Sequence, residues 1–307
     1  MSKITTKEKL IKYLDKNKNP KVIPEKIDIK NAIFEDEINF TEITFEKPVT
    51  FKKCRFKSYV SFQEATFEDE VKFDASVFEK GVNFSEVEFQ GDTYFRDVEF
   101  QEYVTFENSE AKESSIDFNN VKFQKINFEK ILFNHPNFIN MQTFSNSKKN
   151  TPFSTENFSS KESARVVKAA LDERRNSTEA TQYFIVEQDF FLQSLKRVGH
   201  HLKAIPLLMD KTVSNYGTDY KRVLFTFVLY CLIIYCITQN IILPDIHLSF
   251  KDFVEVLIPL KMIGLQYSVE NSIIHKVPLV FIIFARIGVL YFVYQFIRAF
   301  RVNTKRV

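Results

Sequence analysis

Apolar positions between Ile29 and Phe144 recur on a ruled period. From Phe34 the steps alternate six and five, through Phe40, Phe45, Phe51, Phe56, Phe62, Phe67, Phe73, Phe78, Phe84, Phe89, Phe95, Phe100 and Phe106. After a gap the step becomes a uniform five at Phe118, Phe123, Phe128, Phe133 and Phe138, and Phe144 closes the series. A second column stands two residues before each Phe and holds small or β-branched side chains, among them Ala32, Ile38, Ile43, Val49, Cys54, Val60, Ala65 and Val71. Residues two apart share one face of an extended strand, so both columns can enter one core. An eleven-residue period also suits a right-handed coiled coil. A five-residue step, however, turns a helix by about 140°, which would scatter Phe118 to Phe138 around it. The pattern predicts a stacked β-solenoid with one short strand per step.

These columns resemble the pentapeptide-repeat family, whose unit has a large apolar residue at its centre and a small or β-branched one two positions earlier. The resemblance covers roughly residues 29–144. It implies a right-handed quadrilateral β-helix with about twenty residues per coil. Alternating five and six predicts instead that two eleven-residue units, about twenty-two residues, close one coil. The gap from Glu107 to Ser115 is expected to be a loop or bulge thrown out of one coil, because Glu110, Lys112 and Glu113 are poor core residues.

The remaining pattern divides the chain further. Residues 1–28 read as a capping helix and entry segment: Thr5 and Glu8 can form a capping box before Leu10, Ile11 and Leu14. Interspersed lysines and no apolar run argue against a signal peptide there. The solenoid is expected over 29–145 and a linker rich in Ser, Asn and Lys over 146–161. A helical connector follows over 162–221, with helices at Ser163 to Arg174 and Thr178 to about Asp210. In the second, Phe184, Phe191, Leu195, Val198, Leu202 and Ile205 form an apolar stripe, a packing face for the solenoid, the first helix or a second subunit. Asn176, Glu179 and Ala180, followed by a Ser214-Asn215-Tyr216-Gly217 turn and an apolar run, look like pentapeptide-repeat proteins with a membrane C-terminus.

Residues 222–307 carry two candidate spans. Val223 to Pro244 has no charge over 22 residues, enough to cross about 30 Å of hydrocarbon. The second span, about 277–297, is interrupted only by Arg286. An outer loop, 245–276, joins them. Lys211, Lys221, Arg222, Arg298, Arg301, Lys305 and Arg306 flank the spans on the other side, so the positive-inside rule puts both termini and the solenoid in the cytoplasm, the spans lying in the inner (cytoplasmic) membrane.

Charge sharpens this division. Residues 29–145 hold 22 acidic and 13 basic side chains; the first 28 hold 4 and 8, and residues 146–307 hold 13 and 21. An acidic rod stands between basic ends. Cys54, Cys231 and Cys236 are too few and too apolar in setting for a disulfide framework. The scattered histidines give no metal site, and no cofactor is called for. No Gly-rich phosphate loop, Cys-x-x-Cys pair or nucleophile elbow supports an enzyme.

Arg286 is the sharpest candidate, either a pore-lining or gating charge or a structural partner for a carbonyl or a neighbouring carboxylate. Between the spans, Phe250 to Lys261 is largely apolar but carries Asp252, Glu255 and Lys261 and is too short to cross. It is either a re-entrant pore helix, as in two-span tetrameric cation channels, or an amphipathic helix at the interface. Gly264, within Ile263-Gly264-Leu265-Gln266-Tyr267, is only loosely similar to a potassium-selectivity signature, which is absent. Three functions are open: a membrane-bound rod coupled to an oligomeric pore, a membrane-tethered scaffold for a cytoplasmic protein, and a rod that imitates duplex DNA toward topoisomerases. The last is disfavoured because Lys52, Lys53, Arg55 and Lys57 interrupt the acidic surface and because of the anchor, so nucleic-acid business is not expected. A homo-oligomer is, since two spans cannot enclose a pore.

Overall fold

The computed structural model describes residues 3–4, 6, 8–11, 14, 21–144, 153–244, 249–257 and 277–304. The chain forms two compact units, Met1–Arg197 and Val198–Val307.

In the first unit, two-residue strands follow one another around each coil and pair in parallel with the strand one coil on. Partners lie 22 residues apart: Ile33 with Arg55, Thr44 with Thr66, Val49 with Val71, Val60 with Val82. Four such stacks make a four-sided parallel β-solenoid of about six turns. Two sides are six-stranded sheets. The other two merge into one nine-stranded sheet because the strand Glu99–Thr105 runs unbroken through the corner between them. Where the Phe step becomes a uniform five, the coil tightens: Asp117 bridges Asn137 and Lys122 pairs with Gln142, 20 residues on. Both coil lengths thus follow from the local step.

The period stacks the rings in four columns. Phe34, Phe56, Phe78 and Phe100 stack at 4.8, 4.6 and 5.3 Å between centroids. Phe40, Phe62, Phe84, Phe106 and Phe128 do so at 4.9, 4.9, 5.0 and 5.4 Å. Phe51, Phe73, Phe95, Phe118 and Phe138 form a third column, and Phe45, Phe67 and Phe89 a fourth. Neighbouring columns meet edge to face, as between Phe62 and Phe73 (5.5 Å, 76°), so each quadrupole finds a complementary partner. All these rings are buried.

The two step lengths reflect two kinds of corner. Asn31, Glu42, Lys53, Glu64, Ala75, Glu86, Asp97 and Asn108, eleven apart, have φ between 54° and 59°. Each lies in a five-residue step; a six-residue step turns with one more residue and no left-handed one. Side chains prepare half of these corners. Asn39, Ser61, Asn83 and Thr105 each accept a hydrogen bond from the amide two residues on, at 2.9, 3.3, 2.8 and 3.2 Å. These are Asx and Ser/Thr turns, which support the left-handed residue that follows.

The gap after Phe106 is no extruded loop but holds a one-residue bulge: Glu88 pairs with Glu110, 22 on, whereas Thr93 pairs with Ile116, 23 on. Glu110–Ala111 stays a strand, Glu110 pairing with Glu88 and Leu132. Ala111 occupies the Phe position and is fully buried, while Phe89 and Phe133 close over it, 6.4 Å apart at 72°. Glu110 and Lys112 point outward and pair with each other, which is why charged neighbours are compatible with the strand. Buried hydroxyls also serve in the coil: Ser76 and Ser114 donate to the carbonyls of Phe51 and Phe89, at 2.9 and 2.8 Å. Burial pushes the Cys54 thiol up, as expected for a thiol that fills space in the inward column.

Both ends of the solenoid are closed. At the start, Leu10 is fully buried and Leu14 packs beside it. The cap there is Thr6, whose hydroxyl accepts the Lys9 amide at 3.3 Å; Thr5 lies outside the described residues. At the other end, residues 153–160 do not form a free linker. Phe153 and Phe158 are buried, Phe158 bridges Ile126, and the Asn157 side-chain Nδ2 donates to the Gln124 carbonyl at 2.9 Å. Residues 146–152 of the expected linker, like 145, lie outside the described residues. Helices α1 (Lys161–Glu173) and α2 (Ser177–Arg197) then cover the last coil. Ala164, Val167, Leu171, Ala180, Tyr183 and Val186 join the solenoid core, with Tyr183 at 4.7 Å from Phe153. The buried face of α2 is therefore Ala180, Tyr183, Val186 and Leu192, not the expected stripe, in which Phe191 is exposed. The expected continuous helix also breaks at Gly199, which takes a left-handed φ of 79°.

The second unit contains α3 (His201–Ser214), α4 (Tyr220–Ile237, prolonged by a π turn to Ile242), the short α5 (Phe250–Leu257) and α6 (Leu279–Thr304). Tyr220–Ile242 and Leu279–Val302 are long and apolar enough to cross a membrane, and only 11% and 28% of their most apolar stretches are buried. A core helix of a soluble protein would be mostly buried. Large side chains instead stand exposed along both, from Phe225 and Leu232 to Phe284 and Leu290.

Candidate functional site

Three polar anchors hold the apolar helices of the second unit together. The first joins α4 to α6. Tyr230 donates to the Ala285 carbonyl at 2.9 Å, and a Cβ on Gly288 would collide with the Tyr230 ring, so the small residue permits the approach.

The second anchor is Arg286. Its Nε donates to the Val256 carbonyl at 3.3 Å, one of the last carbonyls of α5, which have no partner within their own helix. A cation at a helix C-terminus is also favoured by the helix dipole. Phe253 meets Tyr235 edge to face at 5.4 Å, and Val256 and Leu257 are buried with Ile282, Ala285 and Val289. Tyr235 and Arg286 each stand seven residues inside the ends of their apolar helices, at Ile242 and Leu279, or roughly 10 Å at 1.5 Å per residue. α5 is thus held between the two helices rather than beyond their ends. Beside it an apolar groove of about 400 Å³ is lined by Phe227, Cys231, Tyr235, Phe250 and Phe253 among others.

The third anchor ties α3 to α6. Asp210 accepts hydrogen bonds from Gln295 (2.6 Å), Arg298 (2.8 Å) and Tyr291 (3.3 Å), and Ser214 donates to Gln295 at 2.9 Å. Asn215, Tyr216 and Gly217 turn the chain with three successive left-handed residues, φ 49°, 60° and 77°. The Gly217 amide donates to the Ser214 hydroxyl at 2.8 Å, and a Cβ there would strike Arg298.

On the solenoid, Glu42, Glu64 and Glu86 occupy one corner on successive coils, beside the strand column of Glu88 and Glu110. Coil spacing of about 4.8 Å sets these carboxylates in a regular row. Three cations elsewhere pair across coils: Arg55 with Glu79 (2.6 Å), Lys57 with Glu35 (3.1 Å), Arg96 with Asp74 (2.6 Å). Two hydrogen bonds from Ser115, the one from its amide the stronger cause, hold the Asp92 carboxyl below its usual range.

Residues 29–77 and 73–113 match the profile of a family described as pentapeptide repeats, nine copies. This segment is a pentapeptide-repeat solenoid. No curated protein and no solved structure matches the chain. Such solenoids are typically structural or interaction modules, and among the described residues no group of three His, Cys, Asp or Glu could hold a metal.

Of the candidate residues, the Phe set lines the pentapeptide-repeat core, with Phe123 passing the column on to Phe153 and Phe158 at 6.1 and 5.6 Å. Arg286 meets α5. Glu255 is on α5, but its side chain lies outside the described residues, as do Gly264 and Lys261 with residues 258–276. Sequence reasoning missed Asp210, Tyr230 and Gln295. A lone carboxylate just before an apolar helix and a Gln late in the second one were the available signals. The Asn176, Glu179 and Ala180 motif is structural. Asn176 accepts the Glu179 amide (3.3 Å), Glu179 accepts the amide of the left-handed corner residue Asn140 (3.0 Å), and Ala180 is buried.

Proposed function

We propose that the chain is an integral membrane protein in which the pentapeptide-repeat rod acts as an interaction or sensing module and the two spans, with α5 between them, assemble with further copies into a channel-like pore. The position of α5 carries this reading. A helix that ends at the depth of Arg286 and Tyr235 leaves backbone polar groups in the apolar layer. Such groups are tolerated there only when covered by protein or facing a water-filled cavity. Arg286 itself costs about 2.5–3.5 kcal/mol to insert, and its bond to the Val256 carbonyl gives that charge the task of holding α5. A plain anchor needs neither feature. Two spans enclose no pore, so the reading demands an oligomer, and the basic flanks favour cytoplasmic ends and rod.

The row of Glu42, Glu64 and Glu86 favours a second reading, a membrane-tethered scaffold that offers its acidic corner to a basic cytoplasmic partner. Ion flux into proteoliposomes of the full-length protein, run beside Arg286→Leu, separates the two. The pore reading expects an oligomer by light scattering, flux through the wild type, and altered rate or selectivity in the variant. A monomer, or an inserted oligomer silent under varied voltage and salt, overturns it in favour of the scaffold.

A further inference from the structure

Helix α3 has two faces of opposite character. One packs into the second unit: Ala204 and Ser214 are buried, and Asp210 is bound by Tyr291, Gln295 and Arg298. The other is apolar and open. Leu202, Ile205, Leu208 and Met209 are 83%, 49%, 41% and 45% exposed, and their spacing of three, three and one puts them on a single stripe. Soluble surfaces rarely leave such a stripe bare.

Its place within the unit identifies what covers it. The Asp210 contacts and the bond from Thr226 to the Val213 carbonyl (3.4 Å) fasten the C-terminal half of α3 beside the first turns of α4 and the last turns of α6. At that end the apolar helices acquire charge, with Lys221 and Arg222 on one and Arg298 and Arg301 on the other. Leu224 and Phe225, on the first turns of α4, are exposed as well. An amphipathic helix fixed at the charged end of a span, with exposed Lys203 on its flank, has the features of one lying in a headgroup layer.

We propose that α3 lies in the headgroup layer of a phospholipid bilayer, its stripe of Leu202, Ile205, Leu208 and Met209 set among the upper acyl segments and Lys203, Lys221 and Arg222 at the level of the phosphates. This placement rests on the reading of α4 and α6 as membrane spans.

The test uses the full-length protein in nanodiscs of phosphatidylcholine and phosphatidylglycerol. Leu202→Cys and Met209→Cys, on a Cys231→Ala, Cys236→Ser background, are labelled separately with an environment-sensitive fluorophore. Lipids spin-labelled near the headgroup or near the chain end serve as quenchers, and Phe284→Cys, on the exposed face of α6, is the control. Both α3 labels are expected to emit in the blue and to be quenched about twofold more by the shallow label, as burial of roughly 5–10 Å demands. Water-like emission, blue emission without quenching, or stronger quenching by the deep label at both sites overturns the proposal. An unquenched Phe284 label would instead bring down the membrane reading itself.

Discussion

The solenoid and the helical unit are held together by opposite strategies. In the solenoid, order is distributed: each Phe repeats the environment of the one a coil away, and the ring of Phe73 touches Phe51, Phe62, Phe78, Phe84 and Phe95 within about the same separation. In the helical unit, order is concentrated. On the proposed membrane reading, apolar surface gives little preference for one helix arrangement, which leaves Arg286, Tyr230 and Asp210 to select the geometry. A repeated apolar core specifies by period; a sparse polar set specifies by pairing.

That contrast can be broken at its strongest point first. Phe73→Ala should lower the stability of the solenoid by about 3–5 kcal/mol, read as a lower urea midpoint of the β signal with the helical signal of the second unit unmoved. Asp210→Ala should do the converse. It leaves Arg298 and Gln295 without their acceptor, and a loss of about 3 kcal/mol, the low end for a broken buried pair because this one is partly open to solvent, is expected in helical unfolding in detergent. If either variant moved both signals equally, the two strategies would not be separate. Ala111→Phe then sharpens the solenoid half. Pattern alone recommends the missing Phe, but Phe89 and Phe133 already close over Ala111, so overpacking should cost about 2 kcal/mol in the same urea titration. Smallest is Ala75→Gly. Ala75 holds φ 55° at a corner that no Asx turn prepares, and removing its Cβ should raise stability by about 1 kcal/mol, seen as a higher melting temperature.

Legibility differed between the units for physical reasons. The Phe register exposed the coil because a two-residue strand leaves each side chain little freedom of direction. Even the change from 22 to 20 residues per coil is written in the step. Around Ala111 the missing Phe marks a real one-residue bulge, but the charges beside it do not exclude a strand, because alternate residues face outward. In residues 153–160 the Ser and Asn content signals docking rather than a linker: Asn157 and Ser159 bind Gln124 and Asn127 of the last coils, and Ser154 holds Asn157. On α2 and α3 an apolar stripe was visible, but not which element would cover it: Tyr183 went to the solenoid core and Leu202 was left open.

Periodicity, hydropathy and charge therefore suffice for the repeat fold, the two apolar helices and the acidic rod, because each is a local or short-range property of the chain. Pairings across long separations were decided only by the folded chain: Arg286 with Val256, Asp210 with Arg298, Tyr230 with Ala285. A single Arg or Asp carries no record in sequence of which distant carbonyl or cation will satisfy it. That choice is made when packing brings the groups together and desolvation makes an unmet one costly.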